Sequence, residues 1–191
     1  MTEDPSPKIG PTPAPRSRSV LRTAATWLRD LAISIMIAVV VIIFIYQPVK
    51  VEGTSMMPGL VDQERIFVNK CIYRLGIDDI ERGDLVVFWY PFDRSKSYIK
   101  RIIGLPGEVV SIDRGLVSIN GKPLVEDYVQ DEYRDTFSMP ARTVDPQHFF
   151  VLGDHRNSSN DSRNWGLVPQ SCIYGKAVFV YWPLEKAGPV R

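Results

Sequence analysis

The chain has 191 residues, with 23 Lys and Arg against 22 Asp and Glu, for a formal net charge of +1. That length holds one compact domain plus an anchor and a tail. Balanced charge with no basic stripe excludes an electrostatic nucleic-acid binder. Two cysteines, Cys71 and Cys172, are too few for a disulfide framework and match no zinc spacing. They form either one bridge, in an oxidising compartment, or two small buried hydrophobes. Only two histidines exist, His148 and His155, which leaves little for a metal site.

Residues 1–30 carry five prolines in the first fifteen positions and few apolar residues before Trp27. Such a stretch buries too little surface to offset its ordering entropy, which predicts a disordered tail. Residues 31–49, LAISIMIAVVVIIFIYQPV, are nineteen positions without a charge. As a helix they span roughly 28 Å, close to the ~30 Å of a hydrocarbon core, and predict a transmembrane helix. A cleavable signal peptide is the competing reading, with Val51 and Gly53 as a weak cleavage site. Tyr46, Gln47 and Pro48, where small residues belong, argue for a permanent anchor. Arg16, Arg18, Arg22 and Arg29 precede the span, whereas Lys50 and Arg65 follow it. The positive-inside rule therefore predicts a single-pass protein of the cytoplasmic membrane, tail inside and everything after Lys50 outside.

From residue 50 to 191 the pattern changes to short β-branched and aromatic runs between turn residues. Strands are predicted over 65–73, 84–90, 98–103, 116–120, 148–153 and 177–182, with no long amphipathic helix. Asn120-Gly121 signals a hairpin, and Leu105-Pro106-Gly107 a turn with positive φ at the glycine. The expected fold is mainly β: an all-β core with a smaller, more polar β-ribbon insertion at 113–146, preceded by one N-terminal transmembrane helix.

Three stretches carry candidate chemistry. In VEGTSMMPGL (51–60), Ser55 lies nine residues past Tyr46, a reach of at most about 30 Å, so its contacts are expected near the outer membrane surface. Met56, Met57 and Leu60 are placed to dip into lipid or a substrate groove. A serine nucleophile needs a base. One choice is His148 or His155 with Asp154 behind it; the other is a lysine kept neutral by burial. Strand alternation in SYIKRIIGLPGE (97–108) puts Tyr98, Lys100 and Ile102 on one face, and Ile99, Arg101 and Ile103 on the other. Burial lowers a lysine pKa from ~10.4, by as much as about 3–5 pH units when complete. A snorkelling surface lysine is the alternative. The third stretch, GDHRNSSNDSRNWG (153–166), is a polar loop dense in hydroxyls, carboxylates and arginines.

TSMMP, YIKRIIGLPGE and GDHRNSSNDSR, in that order behind an apolar segment, resemble bacterial type I signal peptidase over roughly residues 30–183. The resemblance implies Ser55 as nucleophile, Lys100 as general base, and Ser159 as the hydroxyl that orients the lysine amine. It implies that Asp161 and Arg163 brace the active-site loop that Gly153 and Asp154 open. Val51, Met56, Tyr98 and Ile99 fall where the family lines shallow pockets for small substrate residues. Gly53 stands where many members place a serine that donates to the oxyanion, and His155 where asparagine is more usual. The implied substrates are preprotein signal peptides, the implied partners membrane lipid and the secretion machinery, and no metal or organic cofactor is expected. Two rivals are a self-cleaving Ser/Lys protease of the SOS-repressor kind and a membrane-tethered β-domain binding module.

Overall fold

The computed structural model describes residues 17–74 and 79–190. The chain divides into two compact units, Met1–Val40 and Val41–Arg191. Helix α1 (Ser17–Ile45) is longer at its start than expected and shorter at its end. The predicted disordered tail is thus helical from Ser17, and its first sixteen residues lie outside the described ones. Ala24, Ala25, Leu28 and Arg29 are strong helix formers, and the first three add apolar surface ahead of the uncharged run. Within α1, Thr23–Val41 is long and apolar enough to cross a membrane. Its apolar side chains, among them Trp27, Leu31, Ile35 and Ile37, are exposed.

Residues 46–49, expected to complete the span, instead belong with Lys50 to strand β1 (Tyr46–Lys50). Pro48 has no N–H to give a helix and disfavours helical backbone at Gln47. β1 pairs antiparallel with β2 (Arg65–Asn69), Tyr46 opposite Asn69 and Lys50 opposite Arg65. β2 stops short of the predicted residue 73. The Asn69 side chain accepts from the Cys71 N–H at 3.0 Å and starts a short helix, α2 (Cys71–Arg74). Then come β3 (Leu85–Tyr90) and the twelve-residue β4 (Asp93–Gly104).

The insertion is a four-stranded sheet, β7-β6-β5-β8. It contains β5 (Val109–Asp113), β6 (Leu116–Ile119), β7 (Lys122–Pro123) and β8 (Met139–Thr143), so it begins earlier than residue 113. Asn120-Gly121 closes the β6–β7 hairpin with φ of 50° and 76°, the left-handed pair that a two-residue turn needs. Gly107, at φ 84°, makes the expected turn, with the Glu108 N–H donating to Leu105 O. This sheet is no solvated ribbon. Val110, Ile112, Val117 and Ile119 pack with Ile103, Phe150 and Leu152 of the larger sheet in one buried cluster.

The chain returns through β9 (His148–Leu152), α3 (Ser162–Trp165), β10 (Val168–Pro169), β11 (Ile173–Trp182) and β12 (Gly188–Pro189). The large sheet runs β1-β2-β11-β3-β4-β9-β10, with β12 beside β11. One detail of its pairing matters for the site. β3 runs beside β4 from Ser97 onward, but β9 joins the other edge of β4 only from Arg101. Cys71 and Cys172 are thiols, and Cys172 is buried in the core, so the bridge is not formed.

Candidate active site

Ser55 sits on the loop between β1 and β2, and the loop is tied at its base. The Val51 N–H donates to Glu64 O at 2.7 Å and the Gln63 N–H to Val51 O at 2.9 Å. The buried Glu64 carboxylate accepts from the Val61 N–H at 2.9 Å and pairs with Lys186 at 3.1 Å. Met56 and Leu60 are 2% and 0% exposed, and belong to the core cluster that holds Ile66 and Val180. They therefore anchor the loop inward rather than dipping into lipid, because a loop rigid enough to aim one hydroxyl needs apolar pegs.

Lys100 lies on β4 opposite Val86 and is 2% exposed. Its Nζ donates to Ser55 Oγ at 2.5 Å, across 45 residues of sequence. The Tyr98 ring centroid stands 5.9 Å from the amine. Burial lowers the lysine pKa from 10.5 to about 8; the carboxylates of Asp161 and Asp154 pull it back up, and Arg163 lowers it further. A snorkelling surface lysine is ruled out by that burial.

The polar loop is largely internal. Asp161, fully buried, accepts from the Gly153 N–H at 3.0 Å and from Arg163 Nε and Nη2 at 2.8 Å each. Asp154 takes a two-pronged pair from Arg101, at 2.8 and 2.6 Å, and Arg101 stacks on Tyr128 at 4.1 Å. Burial raises the Asp154 pKa and Arg101 works against that rise. Arg156 donates to Gly153 O at 3.0 Å and pairs with the buried Glu126. Arg163 also pairs with Asp135. A Cβ on Gly153 would lie 2.5 Å from Ser55 O and overlap the Ser159 side chain, so only glycine lets these two segments close up. Ser159 Oγ is buried there without a hydrogen-bond partner, and Lys100 Nζ bonds Ser55 instead.

Neither histidine ring is hydrogen-bonded to the serine hydroxyl, which Lys100 occupies. His148 Nδ1 donates to Pro146 O at 2.9 Å. His155 Nδ1 donates to Thr54 O at 3.0 Å, and its backbone N–H to Ser55 O at 3.1 Å. Gly53, at φ 90°, gives its N–H to Asp62 Oδ1 at 2.8 Å. Ser55 and Lys100 open onto a cleft of about 170 Å³ lined also by Val51, Gly53, Met56, Tyr98 and Ile99. The residues that the resemblance implied thus come together in one place, whereas His148 lies elsewhere. Arg101 and Arg156 fall within the quoted motifs without a role assigned there, and their helpers Glu126 and Asp135 carry no mark in the sequence at all. No local pattern identifies them, since each partner lies many residues away; only burying a charge reveals the need for a mate.

Residues 24–182 match the family model described as signal peptidase, peptidase S26. Signal peptidase I of Bacillus amyloliquefaciens is 36% identical, over 97% of this chain and 97% of that protein. Signal peptidase I of Leptolyngbya laminosa is 33% identical, over 98% of this chain and 94% of its own. A crystal structure of a signal peptidase I from Enterococcus faecalis is 33% identical over 52% of this chain and 97% of that one, with a TM-score of 0.46. The chain belongs to the peptidase S26 family of signal peptidases, which are serine endopeptidases.

Proposed function

We propose that this protein is a membrane-anchored serine endopeptidase that removes signal peptides from exported preproteins, cutting after small residues, with Ser55 as nucleophile and Lys100 as general base. One observation carries the reading: a lysine amine, buried and depressed to a pKa of about 8, within 2.5 Å of a serine hydroxyl in a cleft. Family membership supports the reaction class.

The neutral Lys100 amine takes the Ser55 hydroxyl proton as Oγ attacks the carbonyl of the scissile bond. Negative charge develops on the carbonyl oxygen. Gly53 carries no side-chain donor and its N–H is engaged by Asp62, so the backbone N–H of Ser55 itself receives that charge. Collapse breaks the C–N bond, and the Lys100 ammonium returns its proton to the leaving amine. The same amine then deprotonates a water, which hydrolyses the acyl-serine and regenerates both groups.

The substrate binds extended. The edge of β4 over Ser97–Lys100, which β9 does not cover, and the Val51–Gly53 segment face a common cleft, where an added strand gains backbone pairing. A cleft of about 170 Å³ suits small side chains at the first and third positions before the cut. Gly153, Asp154, Ser159, Asp161 and Arg163 act as its support, Ser159 by offering its unpartnered hydroxyl to the lysine once Ser55 has reacted. Helix α1 is the anchor, with the arginine-rich side inside and the β domain outside, beside membrane lipid and the secretion machinery.

The self-cleaving protease and the tethered binding module are disfavoured by family membership and by the Ser55–Lys100 contact. The test is cleavage of a preprotein with an Ala-x-Ala site by wild type, Ser55→Ala and Lys100→Ala in detergent. Wild type cuts and both variants are inert. An active Lys100→Ala enzyme sinks the base assignment, and an inert wild type sinks the peptidase reading.

A further inference from the structure

The Thr54–Ser55 peptide unit is held against the polar loop by one residue. His155 Nδ1 meets Thr54 O at 3.0 Å. A carbonyl oxygen only accepts, so Nδ1 carries the proton and donates. One residue further along the chain, Ser55 O accepts the His155 backbone N–H at 3.1 Å. His155 therefore grips two successive carbonyls, one with its ring and one with its backbone. The ring itself is set by an edge-on contact with Tyr133, 4.5 Å between centroids. A second bond to Thr54 O, from the Met57 N–H at 3.1 Å, comes from within the loop. Among the described residues, no acceptor pairs with the Ser55 N–H.

The Thr54 C=O and the Ser55 N–H belong to one planar trans peptide and point in opposite directions. Fixing the carbonyl toward the 153–158 loop fixes the N–H away from it. A donor on the carbonyl also polarises the amide and strengthens the N–H as a donor. We infer that His155 is a positioning residue for acyl transfer: by holding Thr54 O and Ser55 O, it orients and polarises the one backbone N–H that receives the oxyanion. This rests on the reading of Ser55 as nucleophile. It gives His155 a task other than proton transfer, and a task that matters more here because Gly53 brings no hydroxyl to share the oxyanion.

The side-chain atom bonded to Cγ is what counts. In the His155→Asn variant the amide Nδ2 would sit where the ring Nδ1 sits in the wild type. In His155→Phe the ring keeps the Tyr133 contact and loses the donor. The experiment therefore compares wild type, His155→Phe and His155→Asn, each as the full chain in detergent. Hydrolysis of an Ala-x-Ala peptide is measured alongside inhibition by the matching peptide aldehyde and peptide alcohol. The aldehyde forms a serine hemiacetal whose oxygen occupies the oxyanion position; the alcohol does not.

Loss of a whole oxyanion donor costs about 10²–10³ in kcat, and loss of its orientation is expected to cost about 10–100-fold. His155→Phe should lose that factor in kcat with KM within about threefold, and lose a similar factor in its preference for aldehyde over alcohol. His155→Asn should recover most of both. If His155→Phe keeps the wild-type aldehyde preference, or if His155→Asn is as impaired as His155→Phe, the inference is overturned. If wild type itself shows no preference for the aldehyde, the serine-nucleophile reading fails first and takes the inference with it.

Discussion

Lys100 states the central trade at the scale of one residue. Its burial leaves the amine neutral for much of the time near pH 8, which is what a base requires. Activity should accordingly rise with pH through about 8 and level off above it, and a pH–rate profile checks this. Lys100→Arg preserves charge but offers a group that does not deprotonate, so it should be as inactive as Lys100→Ala. The same burial costs stability. Between about 8 and 10.5 the unfolded chain binds a proton that the folded one has released, so stability rises with pH across that window and the penalty is complete below it. Lys100→Met should therefore be more stable than wild type at pH 7, by up to roughly 3 kcal/mol, with the gap closing toward pH 10.5. Denaturant melts at both pH values measure it, and an equal gap at both would refute the cause. Gly153 is the second decisive residue. Gly153→Ala must push Ser55 O and Ser159 apart, and a displacement near 1 Å costs about 10² in rate, so kcat should fall by about that factor, with the melting temperature lowered as well by overpacking.

At the scale of elements, the site is the meeting of a pegged loop, a half-covered strand and a polar loop locked from behind. The lock reaches into the insertion: Arg156 pairs with Glu126 and Arg163 with Asp135, and both acids belong to the segment between β7 and β8. The insertion thus braces the loop that carries Ser159 and Asp161 and does more than decorate the domain. Glu126→Ala would strand a buried guanidinium, and removing one partner of such a pair costs about 3–5 kcal/mol. A clear drop in melting temperature, with activity lost in parallel on warming, is expected; an unchanged melt would show that the pair holds nothing. The hairpin of this segment is readable because its chemistry is local: Asn120-Gly121 takes φ angles that few other pairs tolerate. The start of the insertion is not readable in the same way. Val109–Asp113 and Met139–Thr143 gain strand character from each other, through distant register pairs such as Val110 with Arg142.

The whole molecule joins an exposed apolar helix to a β domain that carries the Ser55–Lys100 pair. β1 pairs with β2 along its entire length, so the domain's first structural residue is Tyr46 and not Lys50. A chain lacking residues 1–40 keeps that strand. It should cleave a short soluble peptide within about tenfold of the full chain and no longer sediment with membranes, since the apolar span is gone. Sedimentation of the shortened chain with vesicles would mean that the β domain itself holds the membrane.

Sequence alone determined the class of fold, the apolar helix and two turns, on short-range rules: period-two alternation, turn chemistry and an uncharged run. The residues of the cleft it named only through the resemblance that its three motifs carry. Tertiary structure decided the rest. It ended the helix at Ile45 because β2 offered Tyr46–Lys50 a partner, brought Lys100 to the Ser55 hydroxyl and His155 to the neighbouring carbonyls, and left Ser159 Oγ unpartnered. It also mated the buried Arg101, Arg156 and Arg163 to acids. Each of those outcomes depends on which groups meet after the chain has closed on itself, and burial, which sets the price of every charge, does not exist until it has.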